Sequence, residues 1–233
     1  MISNNEYKNV DYALIYSTAN EILATTSVIE TFPYKVGKLV EEQSDIRLCK
    51  YSKAFGKYGV SIDKFGSESA VIQEYKGMYI IFYNQDELDY RVRFSIMHEF
   101  GHYILKHKMN LSKDDPLYIR QELEANCFAA QMLMPEQLLR KANSNGKIIS
   151  IDFIMNSFVV SDDAAEKRKK TLASTTPEWR SRAEKMYDDI ILMRFEKFIN
   201  KIAPINNKYY DYDYEIDRQY ERNSWLDTRT RWN

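Results

Sequence analysis

The stretch Arg93-Phe94-Ser95-Ile96-Met97-His98-Glu99-Phe100-Gly101-His102 carries the strongest structural signal in the chain, because it ends in the pattern H-E-x-x-H. Residues four apart on a helix share a face, so His98 and His102 can point at one metal ion with Glu99 beside them. Two neutral imidazoles suit zinc, and a neighbouring carboxylate can take the proton of an attacking water. The pattern therefore predicts a zinc hydrolase site in which His98 and His102 are ligands and Glu99 is the general base.

The residues around this motif indicate that it lies on a helix. From Asp89 to His107 there is no proline, and apolar residues recur at helical spacing, which predicts a helix with a buried stripe. The stripe consists of Phe94, Met97, Gly101, Ile104 and Leu105. Upstream, two apolar runs between Ala70 and Asn84 flank a glycine-containing turn, which predicts a β-hairpin. An exposed edge of that hairpin can bind an extended substrate through main-chain hydrogen bonds.

A second helix is expected to supply the third protein ligand that a catalytic zinc site requires. The segment from Ile119 to Met134 is alanine-rich and amphipathic, and Pro135 stops it. Glu122 and Asn126 share one face of this helix, so Glu122 is the expected third ligand. Asn126, without being a ligand itself, is then placed to hydrogen-bond one of the metal ligands. Glu124 lies well round the helix from Glu122 and is expected to face solvent.

Three linked segments of the sequence resemble the ImmA/IrrE family of metallopeptidases. They are the run from Arg93 to Leu105, the run Glu122-Leu123-Glu124-Ala125-Asn126-Cys127-Phe128-Ala129-Ala130 with Leu133-Met134-Pro135, and the lead-in from Gly77 to Asn84. The resemblance implies an α+β, zincin-like domain of the gluzincin type, and with the hairpin it predicts a small, mostly antiparallel sheet. It also implies that His98, His102 and Glu122 bind Zn²⁺ and that Glu99 is the general base.

The same resemblance implies a substrate. Members of the family are best known for cleaving, or otherwise inactivating, a helix-turn-helix repressor encoded beside them. The expected function is therefore a zinc-dependent endopeptidase acting on such a repressor in a phage, mobile element or stress operon, in a bacterial cytoplasm. Two alternatives are a non-catalytic antirepressor that displaces the repressor by binding, and the toxin component of a toxin–antitoxin pair.

Other side chains near the motif are expected to have structural roles. His107 follows His102 by five positions at the expected helix end, where an imidazole can cap carbonyls and interact with the helix dipole; the alternative is a metal or substrate role. Tyr103 can donate to an oxyanion, but packing is the favoured interpretation. Cys127 is expected to pack as a small hydrophobic residue.

The composition is that of an ordinary globular protein. The 233 residues are 44% hydrophobic and 29% charged, and 33 Lys and Arg balance 34 Asp and Glu, so no overall charge points to nucleic acid. Cys49 and Cys127 need no disulfide, which suits a reducing cytoplasm. Neither a signal peptide nor a transmembrane helix is expected, because Met1-Ile2-Ser3-Asn4-Asn5-Glu6 lacks a basic start and no apolar run approaches membrane length.

The segments around the predicted site should mix helices and one strand. Helices are predicted over Asp11–Thr25 and Pro33–Gln43, and a short strand over Ile46–Tyr51. A glycine-containing connection is predicted over Ala54–Gly66. A loop between His107 and Leu117, beside the expected zinc, is placed to gate substrate entry.

The chain is expected to divide into three parts. A catalytic domain spans 1–145, a short helix-turn-helix-like element packed on it spans 146–175, and a C-terminal helix with a tail rich in Tyr and Asp spans 176–233. The last helix is predicted to start at Thr176-Pro177-Glu178. Its apolar face is predicted to contain Trp179, Ala183, Met186, Ile190, Phe198 and Ile202. The run from Tyr209 to Tyr214 is expected to cap the domain, with docking of a partner as the alternative.

The helix-turn-helix-like element raises a DNA-binding alternative. Ser161 is a fitting N-cap for its second helix, and that helix contains the basic run Lys167-Arg168-Lys169-Lys170. A short basic run is usually a solvated face, and the same pattern in the family is a packing element. No direct binding to nucleic acid or to a membrane is therefore expected.

Overall fold

The computed structural model describes residues 10–66, 68–109, 111–174, 180–205, 216 and 218–220. The predicted helix start at Thr176-Pro177-Glu178, Trp179, and the run from Tyr209 to Tyr214 lie outside these residues. The described residues up to Ala203 form one compact unit, and those from Pro204 onward belong to a second one.

Helices and a small sheet make up the first unit. In chain order its elements are α1 (Tyr12–Thr25), α2 (Val36–Glu41), β1 (Ile46–Lys50), α3 (Tyr51–Tyr58), β2 (Ala70–Tyr75), β3 (Met78–Tyr83), α4 (Asp89–Ile104), α5 (Pro116–Leu133), α6 (Glu136–Ser144), α7 (Ile151–Phe158), α8 (Asp162–Ser174), α9 (Arg182–Arg194) and α10 (Glu196–Ile202). A 3-10 helix, Ile62–Phe65, lies between α3 and β2. The predicted α+β class is confirmed.

The sheet has the strand order β1-β3-β2. β2 and β3 form the predicted antiparallel hairpin, with Ile72 opposite Ile81. Lys76 and Gly77 both have positive φ in its turn, 51° and 78°, as a tight two-residue hairpin turn requires. β1 runs parallel to β3, with Leu48 opposite Ile81. The sheet is therefore mixed, and one of its two pairings is antiparallel.

Strand β3 is covered on both faces, which explains its continuous apolar sequence. Ile81 belongs to the main core, together with residues of α4 and α5. Ile80 and Phe82 point to the other face and pack in a second cluster with Phe65 and Ala54. The sheet is thus held between the α4–α5 pair on one side and α3 with the 3-10 helix on the other.

Helices α4 and α5 approach closely at Gly101. A Cβ at this position would lie 3.0 Å from Cδ1 of Phe128 and 3.3 Å from Cα of Ala125. The apolar residues that α4 buries here are Ile96, Met97, Phe100 and Gly101, so only part of the predicted stripe is fully buried. Glycine therefore brings the backbone of the motif helix against α5.

Several predicted boundaries are corrected by the structure. The connection predicted from Ala54 to Gly66 contains α3 and the 3-10 helix; Gly56 and the exposed Phe55 interrupt the helical pattern there. α5 begins at Pro116 rather than Ile119, because the carboxylate of Asp115 accepts from the Leu117 N–H at 2.8 Å and Pro116 opens the helix. Helix α2 begins three residues after Pro33, and Tyr51 belongs to α3 rather than to the strand. The predicted helix over Asp11–Thr25 is confirmed, with Asp11 as its N-cap.

The end of helix α7 is bonded to the motif helix. Arg93 of α4 is buried and donates to the carbonyls of Phe158 and Val159, at 2.9 and 2.7 Å, where α7 ends. The predicted N-cap is present, since Ser161 Oγ accepts from the Ala164 N–H at 3.2 Å. These contacts give the α7–α8 pair a packing role.

The basic run on α8 is not a uniform surface. Arg168 is only 2% exposed; its Nε donates to the Met134 carbonyl at 2.8 Å and its guanidinium also bonds Gln131. Gln131 in turn donates to Asn20 of α1 at 2.6 Å. Lys167 pairs with an acid on its own helix at 2.8 Å. One member of the run therefore belongs to the interior, and polar side chains join α1, α5 and α8.

A second set of ion pairs continues this network towards α9. Glu136 at the start of α6 is fully buried and pairs with Arg180. Arg180 also pairs with Asp188 at 2.5 Å, and Gln137 donates to the same carboxylate at 2.7 Å. The buried carboxylate of Glu136 and the half-buried one of Asp188 therefore each face a donor.

The last helix of the unit departs from its prediction. It breaks at Phe195 into α9 and α10, and the side chains that it buries are Ile191, Phe195, Phe198 and Ile199. Met186, predicted on the apolar face, is 54% exposed, and Ala183 is also exposed. The prediction of one buried face over the whole length was wrong: Phe198, beyond the break, is buried, but the first two turns of α9 leave Ala183 and Met186 in solvent.

One arginine joins the end of α9 to the end of α1. Arg194 donates to the carbonyls of Leu23 at 2.7 Å and Ile29 at 3.1 Å, and it also bonds the Thr26 carbonyl. These carbonyls lie in the last turn of α1 and in the segment that follows it. Arg194 therefore supplies donors to the C-terminal end of a helix about 170 residues earlier in the chain.

Candidate metal centre

Three side chains from α4 and α5 converge beside the sheet. Nε2 of His98 lies 3.1 Å from Nε2 of His102. The Glu122 carboxylate lies 3.3 Å from the first nitrogen and 3.4 Å from the second. The structure thus brings together the three residues predicted as ligands, and they form a group able to hold a metal ion.

The donor set and its spacing fit zinc. Bonds of about 2.0–2.1 Å in a tetrahedral site would separate neighbouring ligand atoms by roughly 3.3 Å. The two imidazole nitrogens are 3.1 Å apart, and separate oxygens of Glu122 lie 3.3 Å from His98 and 3.4 Å from His102. With one ligand atom taken from each residue, all three atoms lie within 4.8 Å of one another. Burial favours a raised pKa at Glu122, but the imidazoles of His102 and His98 outweigh burial and lower the pKa below its ordinary value. Glu122 is therefore an anion, as a ligand carboxylate must be.

Glu99 lies beside the two histidines and contacts the sheet. Its Oε2 accepts from the backbone N–H of Ile72 in β2 at 2.9 Å. Burial raises the pKa of Glu99, and His98 and His102 counter part of that rise. A raised pKa suits a carboxylate that must hold a proton during a reaction. The same bond shows that the Ile72 N–H points away from β3, towards the open edge of the sheet.

Asn126 supports His98 from the outside. Its Oδ1 lies 3.1 Å from Nδ1 of His98, so the imidazole donates there and keeps its Nε2 lone pair for the centre. The structure places Asn126 as predicted. Asn126 is exposed, so this support faces solvent.

The segment after α4 brings His107 onto His102. Lys106 adopts a left-handed conformation with φ 55°. The N–H of Lys106 bonds the Tyr103 carbonyl at 3.1 Å, and the N–H of His107 bonds the His102 carbonyl at 3.0 Å, a Schellman C-cap. The backbone of His107, not its imidazole, caps the helix, so the predicted capping role of the ring was wrong. Nδ1 of His107 lies instead 3.0 Å from Nδ1 of His102.

Glu124 is buried and contacts His107. It is 9% exposed, and its Oε2 lies 3.1 Å from Nε2 of His107. The prediction that Glu124 faces solvent was wrong, because the segment after α4 folds over this side of α5. Gln121 of α5 holds that segment: in the amide orientation that satisfies both groups, it accepts from the Lys108 N–H at 2.6 Å and donates to the Lys108 carbonyl at 3.1 Å. Burial, with the nearby His102, lowers the pKa of His107 to about 3, so its ring is neutral.

Two tyrosines near the centre differ in their contacts. The Tyr103 hydroxyl donates to Asp45 at 2.5 Å and its ring packs on Tyr79, so it has the packing contacts that were favoured. Tyr118 was not predicted from the sequence; burial and the neighbouring Glu122 carboxylate raise its pKa. Its position one helical turn before Glu122 is the signal that could have identified it.

A cleft of about 1290 Å³ adjoins the centre. Asn126, Ser95 and Phe94 line it near the metal-binding residues, and Tyr16 of α1 and Lys167 of α8 line its far wall. The cleft therefore lies beside the centre at Asn126 and extends across the surface between α1 and α8; His98, His102 and Glu122 do not line it.

The fold and the site define a zincin-like metallopeptidase domain: a helix carrying H-E-x-x-H lies against a small sheet, and a glutamate from the next helix completes the ligand group. The family model of the IrrE N-terminal-like domain, Peptidase_M78, matches residues 42–170. The match covers more than half of the chain, so the chain belongs to this family of ImmA/IrrE-type metallopeptidases. The comparison with curated proteins gives no match. Within the described residues, no helix combines the length and apolar character needed to cross a membrane.

Proposed function

We propose that this protein is a zinc-dependent endopeptidase that cleaves a helix-turn-helix repressor encoded by a neighbouring gene, in a bacterial cytoplasm. The convergence of His98, His102 and Glu122, with Glu99 beside them, is the observation that carries the enzymatic part. The repressor is proposed from the resemblance to ImmA/IrrE proteins.

The residues divide the chemistry among them. Bound by His98, His102 and Glu122, zinc supplies Lewis acidity, which activates water and polarises a peptide carbonyl. Glu99 takes the proton of the attacking water and passes it to the nitrogen of the leaving amine. The raised pKa of Glu99 favours holding that proton between the two transfers.

The open edge of β2 is suited to align the substrate. Its Ile72 N–H points outward to Glu99. In an antiparallel pair the outward-facing groups alternate, so Ala70 and Glu74 present theirs at the same edge. An extended peptide pairing with this edge lies beside Glu99, which places a scissile bond at the centre.

Replacing Glu99 by Gln tests the proposal. The amide cannot accept a proton, so Glu99→Gln should keep the fold and about one zinc per chain while cleavage of the co-expressed repressor stops. Glu166→Gln on α8 is the matched control, because it makes the same change at an exposed residue. Repressor length on a gel and the activity of its promoter are followed together.

The outcomes separate the enzyme from its alternatives. Loss of both cleavage and promoter activation in Glu99→Gln supports the endopeptidase. Activation as strong as in the wild type, with an intact repressor, contradicts it and favours an antirepressor. Growth inhibition that the neighbouring protein relieves without being cut favours the toxin.

A further inference from the structure

We propose that His107 and Glu124 position His102 for the metal through a chain of contacts that runs Glu124–His107–His102. The proposal rests on the metal site proposed above and adds two positioning residues to it. Neither residue belongs to the group of possible ligands, which the described residues His98, His102 and Glu122 form.

The positions of the protons follow from the geometry. Nε2 of His102 faces Glu122 and His98, so its lone pair must be free to bind a cation. The proton of a neutral His102 then lies on Nδ1, and its partner at 3.0 Å is Nδ1 of His107. His107 must accept there, so its own proton lies on Nε2, which is 3.1 Å from Oε2 of Glu124. One assignment of protons therefore serves all three side chains.

The fold builds this chain of contacts into the interior. The side chains of His107 and Glu124 are 5% and 12% exposed. The Schellman turn at Lys106 and the pairing of Gln121 with Lys108 hold the backbone around His107. Nε2 of His107 lies 3.1 Å from Oε2 of Glu124, although its N–H is not aligned on that oxygen in this structure.

The two histidine ligands thus have unlike support. His98 depends on the exposed amide of Asn126, whereas His102 depends on a buried imidazole that a buried carboxylate orients. A carboxylate behind an imidazole fixes its tautomer and raises its basicity. Losing such an outer partner lowers metal affinity about 10–100-fold.

Histidine NMR tests the assignment directly, because the chain contains only three histidines. In protein labelled with ¹⁵N-histidine and loaded with zinc, long-range correlations report which ring nitrogen carries each proton. We expect His98 and His102 protonated at Nδ1 and His107 at Nε2. A His107 ring protonated at Nδ1 overturns the proposal.

A pair of substitutions tests the energetic role. His107→Phe keeps a ring of similar shape but removes the acceptor, whereas His107→Asn places an amide oxygen near the position of Nδ1. Zinc affinity, measured by competition with a chelator, should fall about 10–100-fold in His107→Phe and be largely restored in His107→Asn. The visible spectrum of the Co²⁺-loaded protein should change in His107→Phe.

Controls separate positioning from packing and from the metal site itself. Thermal unfolding of the metal-free proteins measures packing alone. Equal zinc affinity in His107→Phe and wild type, or equal losses in both variants, overturns the proposal while the metal site stands. If His107→Phe does not fold, Glu124→Gln replaces it; it should weaken zinc binding by up to about 10-fold, and unchanged affinity overturns the proposal. A wild type that binds no zinc refutes the metal site and this inference together.

Discussion

The two ends of α5 both bury polar side chains, but they match donors and acceptors differently. At the end that contains Glu122, two imidazole nitrogens and a carboxylate point at one another within 3.4 Å. At the end that contains Gln131, the guanidinium of Arg168 faces the glutamine oxygen and the Met134 carbonyl. Buried acceptors are normally matched by donors, so acceptors that converge on one another indicate a place for a cation.

A polar cluster between helices can serve either the binding of a cation or the stability of the fold. The side chain of Glu122 is 32% exposed, whereas Gln131 and Arg168 are buried, but both clusters consist of polar groups between packed helices, so composition does not separate them. The direction of the lone pairs does. The first cluster should therefore determine metal binding, and the second should determine stability.

The largest expected effect is loss of the metal. His98→Ala and His102→Ala each remove one of three ligands. Zinc affinity should therefore fall further than it does when a hydrogen-bond partner of a ligand is lost, which costs up to about 100-fold. Glu122→Ala should weaken binding more than Glu124→Ala, because only Glu122 reaches both imidazoles. Zinc content after gel filtration measures this. Full zinc in a folded His98→Ala protein, or a larger loss in Glu124→Ala, would contradict the ligand assignment.

The next effect belongs to the other end of α5. Arg168→Met keeps the length of the side chain but leaves the Met134 carbonyl and Gln131 without their donor, which should cost about 3 kcal/mol of the free energy of unfolding. Urea unfolding measures it. Lys169→Met, at an exposed neighbour, should stay within about 0.5 kcal/mol of the wild type. The zinc content of Arg168→Met should equal that of the wild type, and a lower content would break the distinction between the two ends.

A smaller effect is expected where α4 meets α5. Gly101→Ala places a Cβ 3.0 Å from Phe128, which should cost about 1–2 kcal/mol after the better helix propensity of alanine is allowed for. Zinc affinity should fall with it, because the ligands lie on both helices. Gly56→Ala on α3 is the matched control, since a Cβ there meets nothing within 4 Å and should stabilise the protein by up to about 1 kcal/mol. Unfolding curves that move in the same direction for both variants would contradict the close approach.

The smallest expected effect concerns the start of α9, which directly follows Arg180 and its ion pairs. Hydrogen bonds with Ser181 hold the pKa of Glu184 below its ordinary value of 4.5. A depressed pKa contributes stability above the unfolded value, and that stability is lost as pH falls through the folded value. Glu184→Gln should therefore cost under about 1 kcal/mol at pH 7 and progressively less below pH 4.5. Unfolding at a series of pH values tests this, with Glu196→Gln as control; a cost independent of pH would show that the charge plays no part.

The sequence allowed the ligand group to be predicted because all its spacings are helical. His98 and His102 are four residues apart, and Glu122 and Asn126 are four apart on the next helix, so a single geometric rule placed each pair on one face. The hairpin could be predicted equally well, since Gly77 marks its turn. Local spacing was sufficient wherever one element determined the geometry.

The contacts between elements were harder to predict from the sequence. Glu124 was expected in solvent because no pattern showed that the chain folds back after Ile104; the left-handed residue of that turn is Lys106, where glycine would have marked it. The burial of Arg168 was hidden inside a basic run, and its partners lie at positions 16, 131 and 134. Such burial depends on partners far away in sequence.

The bonds from Arg194 to the end of α1 have a consequence for the order in which the protein folds during synthesis. The carbonyls of Leu23 and Ile29 emerge from the ribosome long before Arg194, which donates to them. Every residue of the ligand group lies between Ile29 and Arg194 in the sequence. At about 5–20 residues per second, some ten to thirty seconds separate the two events. During that interval α1 lacks its closing donor. The family match ends at residue 170, so a chain cut there would keep all the metal-binding residues yet leave its first helix permanently in that unfinished state.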